Sequence, residues 1–122
     1  MVMAVLFHDI GDPLAPYSHS EMAAAILRPF VSEKIYWIVK HHGVFQMYYY
    51  AHFSGGDRNA REAFADNPWY DDAVKFCHVY DQNCFDPNYE SKPLEFFVPM
   101  INEFFSRPKL DDPERVARYG KN

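Results

Sequence analysis

The chain has no basic stripe. Its 122 residues carry 12 Lys and Arg against 17 Asp and Glu, a formal net charge of −5. A nucleic-acid surface needs clustered cations, so nucleic acid is not an expected partner. The same negative field repels polyanionic substrates unless bound cations reverse it locally. There is also no apolar run of the roughly 20 residues that a bilayer span requires, so no membrane partner is expected. The apolar opening from Met1 to Phe7 is short, has no basic segment before it and runs directly into His8-Asp9. It does not read as a signal peptide. Cysteine is scarce. Cys77 and Cys84 lie seven positions apart, about 10 Å along one helix, too far for a disulfide within it. Both are expected as reduced thiols, which fits a cytoplasmic location. Alternating strand patterns, internal repeats and low-complexity tracts are absent as well, and the expected class is all-α.

Aromatic residues are abundant, at 18% of a chain that is 48% apolar. One compact domain of this length has a ring-rich core or a ring-walled pocket. Met1 to Phe7 predicts a helix without an N-cap, and an upstream helical segment would complete it. Gly11, Pro13 and Pro16 predict a loop over 11–17. Ser18-His19-Ser20-Glu21 fits a capping box ahead of the alanine-rich Met22 to Leu27, and Pro29 ends that helix. Ser32 caps the next helix, with Ile35, Ile38 and Val39 on one face, and Gly43 after His41-His42 predicts a stop or a kink. Val44 to Phe53 is uncharged and holds five rings. Ser54-Gly55-Gly56 is a turn, and Asp57 caps a short helix through Phe64. Asn67-Pro68 opens a helix from Trp69 to Asn83. Asp86-Pro87-Asn88 is a turn, and Pro93 starts a helix from Leu94 to Phe105 that Pro99 bends or divides. The charged tail from Ser106 is loose, with a short helix expected near Pro113 to Tyr119.

The chemistry-bearing residues fall at helix ends, where loops converge on a bundle mouth. His8-Asp9 precedes a glycine turn. Neighbouring side chains on a helix point about 100° apart, so the pair cannot grip one ion symmetrically. One carboxylate can instead bridge two ions while the adjacent imidazole binds one of them. His19 begins the second helix, His42 lies late in the third, and Asp81 on the fourth offers a further carboxylate. Imidazole with carboxylate suits iron, manganese or zinc. His41, His52 and His78 are expected outside the site.

The order His-Asp, His, His, Asp across successive helices resembles the HD-domain superfamily, whose pattern is H…HD…H…H…D. The matching segments are Leu6-Phe7-His8-Asp9-Ile10-Gly11-Asp12, His19-Ser20-Glu21-Met22-Ala23-Ala24, Val39-Lys40-His41-His42-Gly43 and Tyr80-Asp81-Gln82. Phe85-Asp86-Pro87 through Pro93-Leu94-Glu95-Phe96-Phe97 is similar to a bacterial subgroup. The resemblance runs from residue 4 to about residue 108, giving an HD domain over 1–108 and a charged tail over 109–122. It implies a helical bundle in which His8 and Asp81 bind one metal, His19 and His42 the other, and Asp9 bridges. The family's first His lies on a helix upstream of the His-Asp pair and has no counterpart here, so the chain is expected to be an N-terminally shortened version.

Two chemistries run on that scaffold. Most members are phosphohydrolases. A smaller group, similar to myo-inositol oxygenase and the phosphonate-cleaving oxygenases, uses two irons to activate O₂. One and two turns beyond His42 stand Gln46 and then Tyr49 and Tyr50, expected to contact substrate. In the phosphonate-cleaving relatives a lysine stands where Gln46 does, and a histidine where Asp12 does. An aromatic wall beside carboxylates suits a small neutral or quaternary-ammonium substrate through cation–π contact. The expectation is a di-iron oxygenase or hydroxylase of a small organic molecule, with Asp9 and Asp12 catalytic. A phosphohydrolase with manganese, magnesium or zinc and a non-catalytic form are the alternatives. An exposed apolar face on the opening segment would favour a homodimer.

Overall fold

The computed structural model describes residues 1–81, 88 and 92–109, and these are helical, with no strand among them. Helix α1 (Val2–Phe7) buries Met3 and Ala4 and has no side-chain cap. Met1 and Val2 stay exposed, but Val5, Leu6 and Phe7 pack onto the core. The chain then winds through tight turns, held by Ile10 N–H to Phe7 O and Asp12 N–H to Asp9 O, both 3.0 Å, and Ala15 N–H to Gly11 O at 2.8 Å. A Cβ on Gly11 would stand 2.9 Å from the Cβ of Met22 and 3.1 Å from the His19 carbonyl, so only glycine lets this turn lie against α2 (His19–Leu27).

Ser18 occupies the N-cap of α2, but its side chain makes no capping hydrogen bond, so the capping box is present only as a sequence pattern. Pro29 ends α2 as expected: Arg28–Phe30 tightens into a 3₁₀ turn. Ser32 Oγ accepts from Ile35 N–H at 3.3 Å and starts α3 (Glu33–Tyr50). Gly43 neither stops nor divides this helix. It continues to Tyr50, because every following residue tolerates helical geometry and Gly43 serves packing instead. Helices α2 and α3 form an antiparallel pair whose facing residues, Ala23, Ala24, Leu27, Ile38 and Val39, are buried.

Beyond Gly55, whose φ of +78° needs a residue without Cβ, Asp57 makes a tight side-chain turn to Asn59 N–H at 2.8 Å rather than capping a helix. The expected α-helix to Phe64 is a 3₁₀ segment, Ala60–Phe64. The helix expected from Trp69 is α4 (Tyr70–Lys75), which passes directly into a π-helix, Phe76–Asp81. Residues 82–87, the end of that expected helix, Cys84 and Asp86-Pro87 lie outside the described residues, as does the tail helix near Pro113. Helix α5 (Leu94–Ser106) is continuous through Pro99. Pro99 is on the solvent side, so the carbonyl that its missing N–H leaves over can turn to water. The end of α5 docks by its rings, with Phe105 5.5 Å from Phe7 and 5.1 Å from Phe30, centroid to centroid. No helix among the described residues is long and apolar enough to cross a membrane.

Candidate metal centre

Three imidazoles and two carboxylates meet at the mouth formed by α1, α2, α3 and the π-helix. Asp9, just past α1, is central and uses its two oxygens differently. Oδ2 lies 3.0 Å from His8 Nε2. Oδ1 lies 3.3 Å from His19 Nε2 and 3.4 Å from His42 Nε2. On the first side, Asp81 Oδ1 stands 3.4 Å from His8 Nε2. On the second, the Nε2 atoms of His19 and His42 are 3.2 Å apart. The donors thus divide into two sets that share one carboxylate: His8 and Asp81 on one side of Asp9, His19 and His42 on the other.

The backbone decides which imidazole nitrogen faces this centre. His8 Nδ1 lies 2.6 Å from the Val5 carbonyl, and His42 Nδ1 is 2.5 Å from the Val39 carbonyl. A carbonyl only accepts, so each Nδ1 carries the proton and donates. Each Nε2 then presents a lone pair to the carboxylates. Both histidines use the same device, bonding the carbonyl one helical turn back, which fixes tautomer and ring direction as outer-sphere partners do in metal sites. His42 is almost completely buried and His8 nearly so. His8 Nε2 is a buried atom with no properly formed hydrogen bond, despite its close approach to Asp9.

Lone pairs and carboxylate oxygens that converge this closely are electrostatically unfavourable unless a proton or another cation lies between them. The cation can be a proton. Burial lowers the pKa of His8, but the Asp81 and Asp9 carboxylates and the Val5 carbonyl outweigh this and raise it to about 10. The His42 and His8 imidazoles beside it in turn hold the Asp9 carboxyl far below the usual carboxylate range. The cation can equally be a metal ion. One ligand atom from each of His8, Asp9 and His42 falls within 4.8 Å of the others, a group able to hold an ion. Imidazole nitrogen, shared carboxylate and the orphaned buried Nε2 all fit such an ion.

The centre opens into a cavity of about 480 Å³ whose walls include Asp9, Asp12, His19, His42, Gln46, Met47, Tyr50, Ser54 and Asp81. His8 is not part of that wall, so the His19–His42 side faces the cavity. Asp12 is mostly exposed, with Oδ1 3.9 Å from His19 Nδ1. It lies on the Nδ1 side of that ring, whose Nε2 faces Asp9, and is too distant for a hydrogen bond to it. Gln46 and Tyr50 line the cavity. Tyr49 does not: it turns away, its hydroxyl 3.1 Å from His78 Nδ1 and its ring against the core. Helical rotation explains the split, since adjacent residues point about 100° apart. Met47, Ser54 and Gly56 were missed. Met47 had a readable signal, four residues beyond Gly43 on the same face. Ser54 and Gly56 reach the cavity through a turn that periodicity does not describe.

His41 bonds the Trp37 carbonyl at 2.8 Å and packs on Trp37 and Phe64, away from the centre. His52 packs on Phe53. Two buried groups brace the backbone of α3 at His42 and Gly43. The Cys77 thiol donates to the His42 carbonyl at 3.5 Å, and Gly43 N–H donates to Ser20 Oγ at 3.2 Å.

No family model, curated protein or solved structure matches this chain. Its chemistry is therefore argued from the centre itself.

Proposed function

We propose that this chain is a di-metal enzyme of the HD-domain type, a non-haem di-iron oxygenase or hydroxylase acting on a small organic substrate. One observation carries the reading: Asp9 directs each of its carboxylate oxygens to a different histidine set, the arrangement of a bridging ligand. His8 and Asp81 would hold one ion, His19 and His42 the other, with Asp9 common to both. When bound, an iron pair supplies activation of O₂ and the redox equivalents for attack on a C–H bond.

The chain's own residues do the rest. The cavity admits a small molecule to the side occupied by His19 and His42. Gln46 and Tyr50 offer an amide and a phenol to orient it. Asp12, on the cavity wall and 3.9 Å from His19 Nδ1, would be the carboxylate that takes up a proton from substrate. Among the described residues no Lys or Arg lines the cavity, so an anionic phosphate ester would find no cation from them. This favours oxygenation of a neutral or cationic molecule, including a quaternary ammonium, over phosphate-ester hydrolysis.

The test is metal analysis with Mössbauer spectroscopy on anaerobically purified protein, together with O₂ uptake in the presence of candidate amines and alcohols. Two coupled irons per chain and substrate-dependent O₂ consumption are expected. Iron-free protein that hydrolyses phosphate esters with magnesium or manganese, and loses this on His8→Ala, would replace the oxygenase with a phosphohydrolase. Fewer than one ion per chain and no turnover would leave a non-catalytic protein.

A further inference from the structure

Helix α3 ends in consecutive tyrosines, Tyr48, Tyr49 and Tyr50, whose surroundings differ. Tyr50 lines the cavity. Tyr49 turns away from it, its ring centroid 6.5 Å from that of Tyr50 and 5.3 Å from that of Tyr48. The Tyr49 hydroxyl lies 3.1 Å from His78 Nδ1, and the two rings are nearly parallel, at 16°. A phenol is the readier proton donor of the two, so Tyr49 donates and the bare Nδ1 accepts. His78 is exposed on the π-helix. Cavity wall, phenol, imidazole and solvent therefore follow one another in space.

That order matters for one-electron chemistry. Removing an electron from a phenol makes its proton strongly acidic, and the removal is easier where a base stands ready for that proton. Burial raises the Tyr49 pKa, so the group keeps a proton to lose, and imidazole is the side chain best suited to take one near neutral pH. Neighbouring groups are less well placed. The guanidinium carbons of Arg58 and Arg61 stand 4.2 Å and 3.8 Å from the Tyr48 ring centroid, and their charge opposes loss of an electron there. Arg28 does the same to Tyr36 from 4.3 Å. Tyr70 donates to Glu62 at 2.7 Å, but a carboxylate is a weaker base than imidazole. The Cys77 thiol donates to a backbone carbonyl, which cannot take its proton.

We infer that Tyr49 and His78 form a proton-coupled redox pair, reached from the cavity through Tyr50. An electron passes from the Tyr49 ring to a one-electron oxidant, and the phenolic O–H bond breaks. The proton crosses the hydrogen bond and forms N–H at His78 Nδ1, leaving a neutral phenoxyl radical beside an imidazolium. A one-electron reductant such as ascorbate returns the electron, the proton moves back, and the pair is restored. The redox property belongs to the two side chains alone, whereas its use rests on the oxygenase reading: an activated-oxygen oxidant formed without substrate would be discharged through Tyr50 and Tyr49 before it damaged the histidines.

The test uses the metal-free full chain and azide radicals from pulse radiolysis, a one-electron oxidant of Tyr and Trp, so the result does not depend on whether iron binds. Tyr17, which is fully exposed, and Tyr89 and Tyr119, outside the described residues, are first removed as Tyr17→Phe, Tyr89→Phe and Tyr119→Phe. Freeze-quench electron paramagnetic resonance follows the phenoxyl radical, and mass spectrometry of a spin-trap adduct locates it. The longest-lived radical is expected on Tyr49, and Tyr49→Phe should abolish it. His78→Asn, whose amide can accept the hydrogen bond but not the proton, should shorten the radical's lifetime about tenfold or more, the weight of one hydrogen bond to a charged group. A merely structural hydrogen bond would survive that change. Tyr48→Phe should leave the radical in place. A long-lived radical that persists in Tyr49→Phe, or a Tyr49 radical whose lifetime is the same in His78→Asn, would overturn the inference.

Discussion

At the scale of single residues, Asp9 differs from its neighbours in serving both histidine sets. His8 and Asp81 contribute to one side only, His19 and His42 to the other. Removing a side chain from one set should therefore empty one position and spare its partner. His8→Ala and His19→Ala are each expected to keep about one ion per chain, while Asp9→Asn loses both. The affinity loss should reach at least 10–100-fold, the effect typical of removing even an outer-sphere partner. Metal-to-protein ratios after dialysis check this. If Asp9→Asn retained one ion as firmly as His8→Ala does, the carboxylate would not be bridging. Cys77 makes a second prediction. Burial pushes its thiol pKa up, and Sγ donates to the His42 carbonyl. In a Cys84→Ser background, a neutral alkylating reagent should leave the native protein unmodified for hours and modify it within minutes in denaturant. Mass spectrometry reads both. Rapid labelling of the native form would mean that the π-helix opens readily.

At the scale of helices, the α2–α3 crossing sets the distance between His19 and His42, because Ser20 and Gly43 follow those residues and touch. A Cβ added to Gly43 would stand 2.8 Å from Ser20 Oγ, whereas the next nearest atoms are at 3.9 Å and 4.0 Å. Gly43→Ala should thus cost about 1–3 kcal/mol from overpacking, outweighing the gain in helix propensity. Ser20→Ala alone should cost about 1 kcal/mol for the lost hydrogen bond. Together the cost should be less than the sum, because the second change removes the atom the first collides with. Urea unfolding of the four proteins measures the coupling, and strict additivity would refute the contact as the source of strain. This scale also shows what the sequence made legible. Caps and breakers with local causes could be read: Ser32 before α3, Pro29 after α2, Pro93 before α5. So could the ordering of the five donors, since each lies near a helix end or on a helix face. Gly43 misled because a glycine that ends a helix and one that admits a neighbouring helix look alike until the neighbour is placed. The π-helix at Phe76–Asp81 has no sequence signature; it arises where one extra residue per turn lets Phe76, Cys77 and Asp81 all be buried. Tyr49 and Tyr50 could not be told apart by ring chemistry, and only helical rotation separates them.

At the scale of the whole molecule, the donor centre joins four segments that otherwise meet only through the core. His8 and Asp9 follow α1, His19 opens α2, His42 belongs to α3, and Asp81 ends the π-helix. An ion gripped by these side chains would tie together parts of the chain separated by up to seventy-odd residues. In the unfolded chain the donors are dispersed, so a metal would bind the native state preferentially and stabilise it by mass action. At a free metal concentration 100 times the dissociation constant, one site contributes about 2.7 kcal/mol. For a chain of this length that corresponds to a rise in Tm of about 10 °C. Iron(II) added anaerobically should produce such a rise, and a chelator should reverse it. The increment should vanish in Asp9→Asn, whose uncharged amide cannot bridge. In Arg61→Gln it should persist, even if that protein starts from a lower Tm, because Arg61 stacks on Tyr48 and is not among the residues that line the cavity. Thermal unfolding of the three proteins with and without metal separates these outcomes. An equal rise in Asp9→Asn would mean that the metal binds elsewhere, and a rise lost in Arg61→Gln would mean that it depends on residues outside the centre.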